Sequence, residues 1–511
     1  MRRSSKTEQL PVRRQVAPGA KPIVAVCVAL VLGWLGVVTQ AEAQTSPPGT
    51  RGAVAVPTAY QGTTQLDNPK ADENESAVEL QQTPTVQRAP VPVVPPQPFM
   101  REVLWSDVIG HRVPDDTPSF FRDSLVQVVA RTYLLSRDAA DGSKSEAMTG
   151  GGWIAYRSGL IGDFLGIGGA YYTSQKIFAD PTANGTLLLT TPDQGAISVL
   201  GQAYVRARVL DNEFVGGREL IDTPLINPRD NRMVPITYEA ATLNSVANAD
   251  RMYDYSAGYI WNAKLRDSND FISMSDALAG PGAVDRGAPF AMVRVRPVTG
   301  LAVTVMDYNI QDYINTGFAQ AEYAFQTPKG TPQWGIGANI IDQQSQGADL
   351  LTGLPFETYQ ASGKGQVKYM GWTAFVAGSA TGNQSGIFSP FGTKPNYTDM
   401  QQVSFDRANE KAIGASAAYD FGYAFGKQGL TGLSVGTWYS QGWDAIDPLT
   451  MAGLPNRSEF DVWLTYRPTE GPLKGFRLRV QYADVWQQGN VRDPASEFRF
   501  IVDYTVLFKN R

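Results

Sequence analysis

From about Ser124 to Phe508 the chain is written in short blocks of alternating apolar and polar residues, separated by clusters of Gly, Asn, Asp and Pro. Alternation of period two places successive side chains on opposite faces of a strand. In KGFRLRVQYADVW (474–486), Phe476, Leu478, Val480 and Tyr482 point one way and Arg477, Arg479 and Gln481 the other. In ISVLGQAYVRARV (197–209), Val199, Gly201, Ala203, Val205, Ala207 and Val209 form a small or apolar face against Gln202, Tyr204, Arg206 and Arg208. In MYDYSAGYIWNAKLR (252–266), Tyr253, Tyr255, Ala257, Tyr259, Trp261 and Ala263 oppose Asp254, Ser256, Gly258, Asn262, Lys264 and Arg266. EKAIGASAAYDF (410–421), RSEFDVWLTY (457–466) and EFRFIVDYTVLF (497–508) repeat the pattern, the last with Arg499, Asp503 and Thr505 on its polar face.

A soluble sandwich also alternates, but two features favour a transmembrane barrel. Aromatic residues such as Tyr482 and Phe508 sit at the ends of apolar faces, as in the girdles of outer-membrane barrels. Tight turns, TEGPLKG (469–475) and GKQGLTG (426–432), are expected on one side, with SPFGTKPNYTDMQQVSFDRANEK (389–411) as a long loop on the other. Residues 124–508 then provide about 16 to 18 strands, each taking about 20 to 22 residues with its share of loop. On such a wall the apolar face of KGFRLRVQY meets lipid and its arginines meet a watery lumen. A lipid-facing arginine at midplane would cost about 2–4 kcal/mol.

The first hundred residues read differently. Arg2, Arg3, Arg13, Arg14 and Lys21 precede an uncharged run, Ile23 to Val38, and Ala41-Glu42-Ala43 offers a cleavage site, so residues 1–43 read as a secretory signal peptide. The uncharged run is short for a helical span, which needs about 20 residues. Residues 44–100 are rich in proline, end in APVPVVPPQP and read as a disordered extended arm. Residues 101–123 are a lead-in segment, and 124–508 form the barrel. Cleavage removes six Lys/Arg, two Asp/Glu and the sole cysteine, Cys27, leaving 38 basic and 47 acidic residues and a net charge of −9. A cysteine-free exported chain has no disulfide and no thiol chemistry. Charged residues make up 18% of the chain, below the soluble average of about a quarter.

Four stretches of the barrel resemble the OprD-type substrate-specific outer-membrane porins: SLVQVVARTYLLSRD (124–138), the block 199–243 containing VGGRELIDTPLINPRDNRMVP, QGLTGLSVGTWYSQG (428–442), and the block 457–508. The resemblance implies an all-β, 18-stranded antiparallel barrel in a Gram-negative outer membrane, with one loop folded inward to make a narrow eyelet. It implies passive uptake of small carboxylate-bearing solutes, amino acids or organic acids, past a line of basic residues. Positions matching that line are Arg131, Arg206, Arg208, Arg477, Arg479 and Arg499, and Arg294 and Arg296 fit the same logic. Asp222 and Arg232 fall in the segment that corresponds to the constriction loop. One departure is GLSVGTWYSQG, whose lumen face would carry Ser434, Gly436 and Trp438 where the family tends to place a basic residue nearby.

The chemistry of a basic ladder stands without the resemblance. A permeating carboxylate sheds hydration at a constriction, and guanidinium returns bidentate, charge-assisted hydrogen bonds. Two unit charges 4 Å apart interact by about 4 kcal/mol at an effective dielectric of 20. Several sites in file hand the solute on, because binding must be strong enough to enter and weak enough to leave. The alternative for each arginine is a structural ion pair, and for the whole chain a general, weakly selective porin or a plugged, adhesive barrel. The acidic residues are expected mostly in outer loops. His111, the sole histidine, precedes the first strand, and no His/Cys metal cluster exists, so no His-dependent enzyme site, metal site or cofactor is expected in the barrel. MTGGGW and LGIGGA lack a following helix and are not phosphate loops. No internal repeat suggests an adhesin, no basic patch suggests nucleic acid, and the expected partners are small carboxylates and outer-membrane lipid, with monomer and trimer both open.

Overall fold

A computed structural model describes residues 110–111, 116–139, 142–179, 186–246, 252–426, 430–471, 473–488 and 495–510. The signal peptide and the Pro-rich arm lie outside the described residues. Eighteen long strands follow one another around a closed antiparallel sheet: β1 (Leu125–Asp138), β2 (Lys144–Arg157), β3 (Leu165–Ala179), β4 (Ile197–Val209), β5 (Asn212–Glu219), β6 (Thr237–Ser245), β7 (Tyr253–Lys264), β8 (Ala288–Val295), β9 (Leu301–Ile310), β10 (Ile314–Ala324), β11 (Gln333–Ser345), β12 (Glu357–Tyr369), β13 (Trp372–Thr381), β14 (Lys411–Asp420), β15 (Leu433–Trp443), β16 (Arg457–Tyr466), β17 (Phe476–Gln487) and β18 (Ala495–Asn510). The first and last strands close the barrel, in register from Leu125 opposite Lys509 to Asp138 opposite Ser496. Closure matters because an open edge in hydrocarbon leaves a row of unsatisfied amides. Gly110–His111 adds two residues of parallel pairing to the end of β18.

The two ends of the barrel differ. Strands are joined at one end by tight connections such as 210–211 and 370–371, and TEGPLKG and GKQGLTG fall at this end. The other end carries the longer loops, including 220–236, 265–287 and 382–410. On β11 the outward face reads Trp334, Ile336, Ala338, Ile340, and on β17 Tyr482 and Trp486 face out, so aromatic residues border an aliphatic belt. Arg479, Gln481 and Ala483 face in, as alternation predicts.

The register shifts at three bulges, one of them at Ile177 in β3, and the other two reverse faces read from the sequence. Ala170 pairs with Gln202 but Tyr171 with Leu200, so Gly201 is an extra residue in β4. Beyond it Val199 and Ile197 turn into the lumen, joining Gln202, Tyr204 and Arg206, and Leu200 faces out. Val199 therefore does not share the outward face of Val205. In β7 Trp261 is the extra residue, so Ala263 faces in and Asn262 out, the reverse of the sequence pattern. A one-residue insertion inverts every side chain that follows it.

Candidate functional site

Two loops turn into the barrel rather than one. The first, 220–236, joins β5 to β6 and is the expected constriction loop; Asp222 and Arg232 both lie on it. Its apolar residues Ile221, Leu225, Ile226 and Ile236 pack on Tyr238, Met292, Met306 and Phe318 of the wall. Arg131 on β1 ties down its far side: the guanidinium donates to Asp230 at 2.6 Å and to the carbonyl of Arg232. Arg232 is buried and donates to the carbonyl of Leu187 at 2.8 Å.

The second loop, 382–410, contains most of the stretch that sequence alone reads as an outer loop, and it too enters the lumen. Asn396, Thr398 and Asp399 are almost inaccessible to solvent. The loop is held by backbone amides that donate to wall carboxylates: Gln402 and Val403 to Glu459 at 2.7 and 2.6 Å, and Gln401 to Asp461 at 3.1 Å. Arg499 on β18 donates to the Gln401 carbonyl at 3.1 Å. The loops meet where Asn227 donates through its backbone to the carbonyl of Phe391 at 2.9 Å and accepts from the Thr393 amide at 3.0 Å. Near its tip, Tyr397 accepts from Gln320 at 2.9 Å and lies under the Lys364 ammonium, 4.5 Å from the ring centre. A Cβ on Gly337 would come within 2.9 Å of the Tyr397 hydroxyl. Gly337→Val is therefore expected to displace Tyr397 and raise single-channel conductance modestly, with folding intact by heat-shifted gel mobility.

The arginines singled out from the sequence fall into ion clusters on the inner wall. In the first, Arg131 and Arg477 both donate to Asp503, at 2.7 and 2.8 Å, with Arg479 the third guanidinium acting on that carboxylate. The Arg131 guanidinium also lies 4.9 Å from the centre of the Trp153 ring. In the second, Arg206, Arg157 and Arg208 lie 2.7, 3.5 and 3.7 Å from Glu213. In the third, Arg296 pairs with Asp254, and Arg294 donates to Thr304 at 3.0 Å. In the fourth, Glu497 pairs with both Arg137 and Arg499. Ser434, Gly436 and Trp438 face inward on β15, so this stretch of wall carries no basic side chain.

The acids correct one expectation. Glu213, Asp254, Glu459, Asp461, Glu497 and Asp503 are all buried on the inner face, so many carboxylates work inside the barrel as counter-ions and loop anchors. Alternation already placed Asp254, Glu459, Asp461 and Asp503 on polar faces; their partners, far away in sequence, were not readable. Also unforeseen is Arg266, which donates to Asn231 of the first inward loop and, by burial and then by its neighbours Arg229 and Arg232, is pushed well below the usual guanidinium range.

Comparison with known proteins agrees with this architecture. The profile of the outer membrane porin, OprD family matches residues 118–508. Among solved structures, Pseudomonas aeruginosa OccK9 (OpdG) is similar over 76% of this chain and 100% of its own, at 22% identity and a TM-score of 0.67. OpdK from the same organism, crystallised with vanillate, covers the same shares at 20% identity and a TM-score of 0.65. Acinetobacter baumannii OccAB2 is 19% identical with a TM-score of 0.67, again over 76% of this chain and 100% of its own. A search of curated proteins found no significant match. With more than half its length matched by one porin family and an 18-stranded barrel narrowed from within, the chain belongs to the OprD family of outer membrane porins.

Proposed function

We propose that this porin admits small carboxylate-bearing solutes, amino acids or organic acids, past a cation-rich eyelet, and that it reaches the outer membrane after removal of residues 1–43. The observation that carries the reading is the imbalance within the inner-wall clusters. Three guanidinium groups lie within 4 Å of the single Glu213 carboxylate. Arg131, Arg477 and Arg479 share Asp503 and Asp230. Each cluster thus carries net positive charge at pH 7 and attracts an anion, although the whole chain is acidic; local charge governs a pore. Arg131, Arg206 and Arg499 are nearly inaccessible and act chiefly through their field and by holding the loops, whereas Arg477 and Arg208 retain solvent contact, with 19% and 35% of the side chain exposed. Vanillate, the compound in the OpdK structure, is itself a carboxylate.

The test is current block in planar bilayers. The wild-type channel is expected to show small conductance and block by amino acids or organic acids, and Arg477→Ala/Arg479→Ala to lose most of that block. Large conductance indifferent to carboxylates in both proteins would mean a general porin. No conductance at all would mean a plugged barrel.

A further inference from the structure

The lipid-facing wall is not uniform. Along β5, Phe214, Gly216 and Arg218 alternate with the buried, inward-facing Glu213, Val215 and Glu219, so all three face out. Gly216 pairs with Val205 of β4 on one side and with Ala241 of β6 on the other. One step nearer the tight turns, Phe214 pairs with Leu243, and Leu243 with Ala257 of β7. Gly216, Ala241 and Ala257 make a floor of small residues, and Val205, Phe214 and Leu243 stand around it. Together they form an apolar groove of about 570 Å³ on the outside of the barrel. A Cβ on Gly216 would meet no atom within 4 Å, so the space above it is open.

The groove has a polar head. Arg218 lies one same-face step, about 6.6–6.8 Å, beyond Gly216, at the end of β5 that leads into the long loop 220–236. Long loops mark the extracellular end of such barrels, so this end of the groove meets the outer leaflet. An outward arginine is costly at midplane and costs little at that boundary. Its Nε donates to Glu239 at 3.0 Å and its Nη1 to the Leu200 carbonyl at 3.2 Å, and the guanidinium lies 4.4 Å from the centre of the Phe271 ring. Nη2 has no protein acceptor among the described residues, and the side chain is 39% exposed. Asn262 of β7 donates to the other Glu239 oxygen at 2.6 Å. Guanidinium, carboxylate and amide therefore stand side by side in a row whose charges cancel.

We infer that the groove and the Arg218–Glu239–Asn262 row bind one lipid of the outer leaflet, a phosphorylated, multiply acylated saccharide, with an acyl chain along the groove and the headgroup on the row. The groove is continuous with the wall that hydrocarbon covers, so the occupant of its floor is an acyl chain. Arg218 Nη2 supplies a charge-assisted donor for a phosphate oxygen. Glu239 supplies an acceptor, which suits the hydroxyl groups of a sugar. Because the row is neutral as a whole, it does not gather anionic lipids at large; recognition comes from phosphate and sugar met at contact. The site lies on the outer wall and does not depend on what passes through the lumen.

Native mass spectrometry of the purified mature protein in detergent tests the site. The probes are lipid A, the same lipid stripped of its phosphates, and phosphatidylglycerol. The wild type is expected to retain one lipid A per barrel under conditions that remove phosphatidylglycerol, and to hold the dephosphorylated lipid severalfold more weakly. Gly216→Phe fills the groove with an apolar side chain that lipid tolerates, so heat-shifted gel mobility and conductance should not change, while retention of lipid A falls severalfold. Arg218→Gln should hold the phosphorylated and dephosphorylated lipids alike, and Arg218→Lys should recover part of the difference. Equal lipid A retention by the wild type and Gly216→Phe would overturn the site, as would retention of phosphatidylglycerol to the same degree as lipid A. Oligomers of the wild type that retain no lipid and that Gly216→Phe dissociates would also overturn it, and would make this face a contact between copies of the chain.

Discussion

Glu459→Ala is expected to release the second inward loop and raise single-channel conductance severalfold. The Glu459 carboxylate is wholly buried and accepts two backbone amides of the loop, from Gln402 and Val403. Each such hydrogen bond contributes about 0.5–1.5 kcal/mol, and a buried amide left without its acceptor costs about 1–3 kcal/mol. Alanine removes both bonds together and strands both amides, a loss too large for the Asp461 contact to Gln401 to offset. The loop then leaves the lumen or samples it loosely, and the constriction it forms with residues 220–236 opens. Two readouts follow. Conductance rises, and trypsin cuts after Lys394 or Arg407, of which Lys394 is fully buried in the intact protein. Glu459→Gln keeps one acceptor oxygen and should fall between. If Glu459→Ala leaves both conductance and protease resistance unchanged, the amide clamp is not what holds the loop.

That anchor also shows what the sequence could and could not convey. Alternation from Phe476 to Tyr482 assigned faces correctly because a lipid belt on one side and water on the other impose opposite chemistry on neighbouring residues. The same logic failed around Gly201 and Trp261, where a bulge inserts one residue and no composition signal marks it. It failed more instructively for 389–411. A run of Asn, Thr, Asp, Gln and Ser reads as a solvated loop, but many of its side chains find their hydrogen-bond partners in the protein: Asn396 with Asp399, Lys394 with Asp406 and Gln360, Gln401 with Glu497. A polar lumen can bury a polar loop, so polarity alone does not say which side of the rim a loop occupies. The arginines were legible as inward-facing side chains. Their division into buried anchors and accessible charges was not, because it depends on carboxylates brought next to them by strands distant in sequence, as Asp503 on β18 is brought to Arg131 on β1.

The outer root of the same loop should respond to acid through Glu410. Its carboxylate is fully buried where the loop rejoins β14, with Arg407 at 2.6 Å and Arg457 at 3.0 Å. Burial alone would raise its pKa, but Arg457 and Arg407 together outweigh burial and hold it below the ordinary glutamate value. A carboxyl whose folded pKa is depressed contributes stability above its unfolded value, about 4.3, and loses it as pH falls through the lower folded value. The closed channel is therefore expected to keep constant conductance from pH 7 down to about 5 and to become noisy and more conductive only below about pH 4. Arg457→Met removes one of the two cations that hold the charge on Glu410. Breaking a buried ion pair costs about 3–5 kcal/mol when no partner remains, and Arg407 retains part of that here. The acid transition should move to higher pH in this variant, and the loop should be cut by trypsin at neutral pH more readily than in the wild type. Glu410→Gln removes the titrating group, so its conductance should lose this step between pH 5 and 3 while other lumen carboxylates still titrate. An acid transition at the same pH in wild type, Arg457→Met and Glu410→Gln would place the sensor elsewhere, and the carboxylates that clamp residues 401–403 would be the groups to change next.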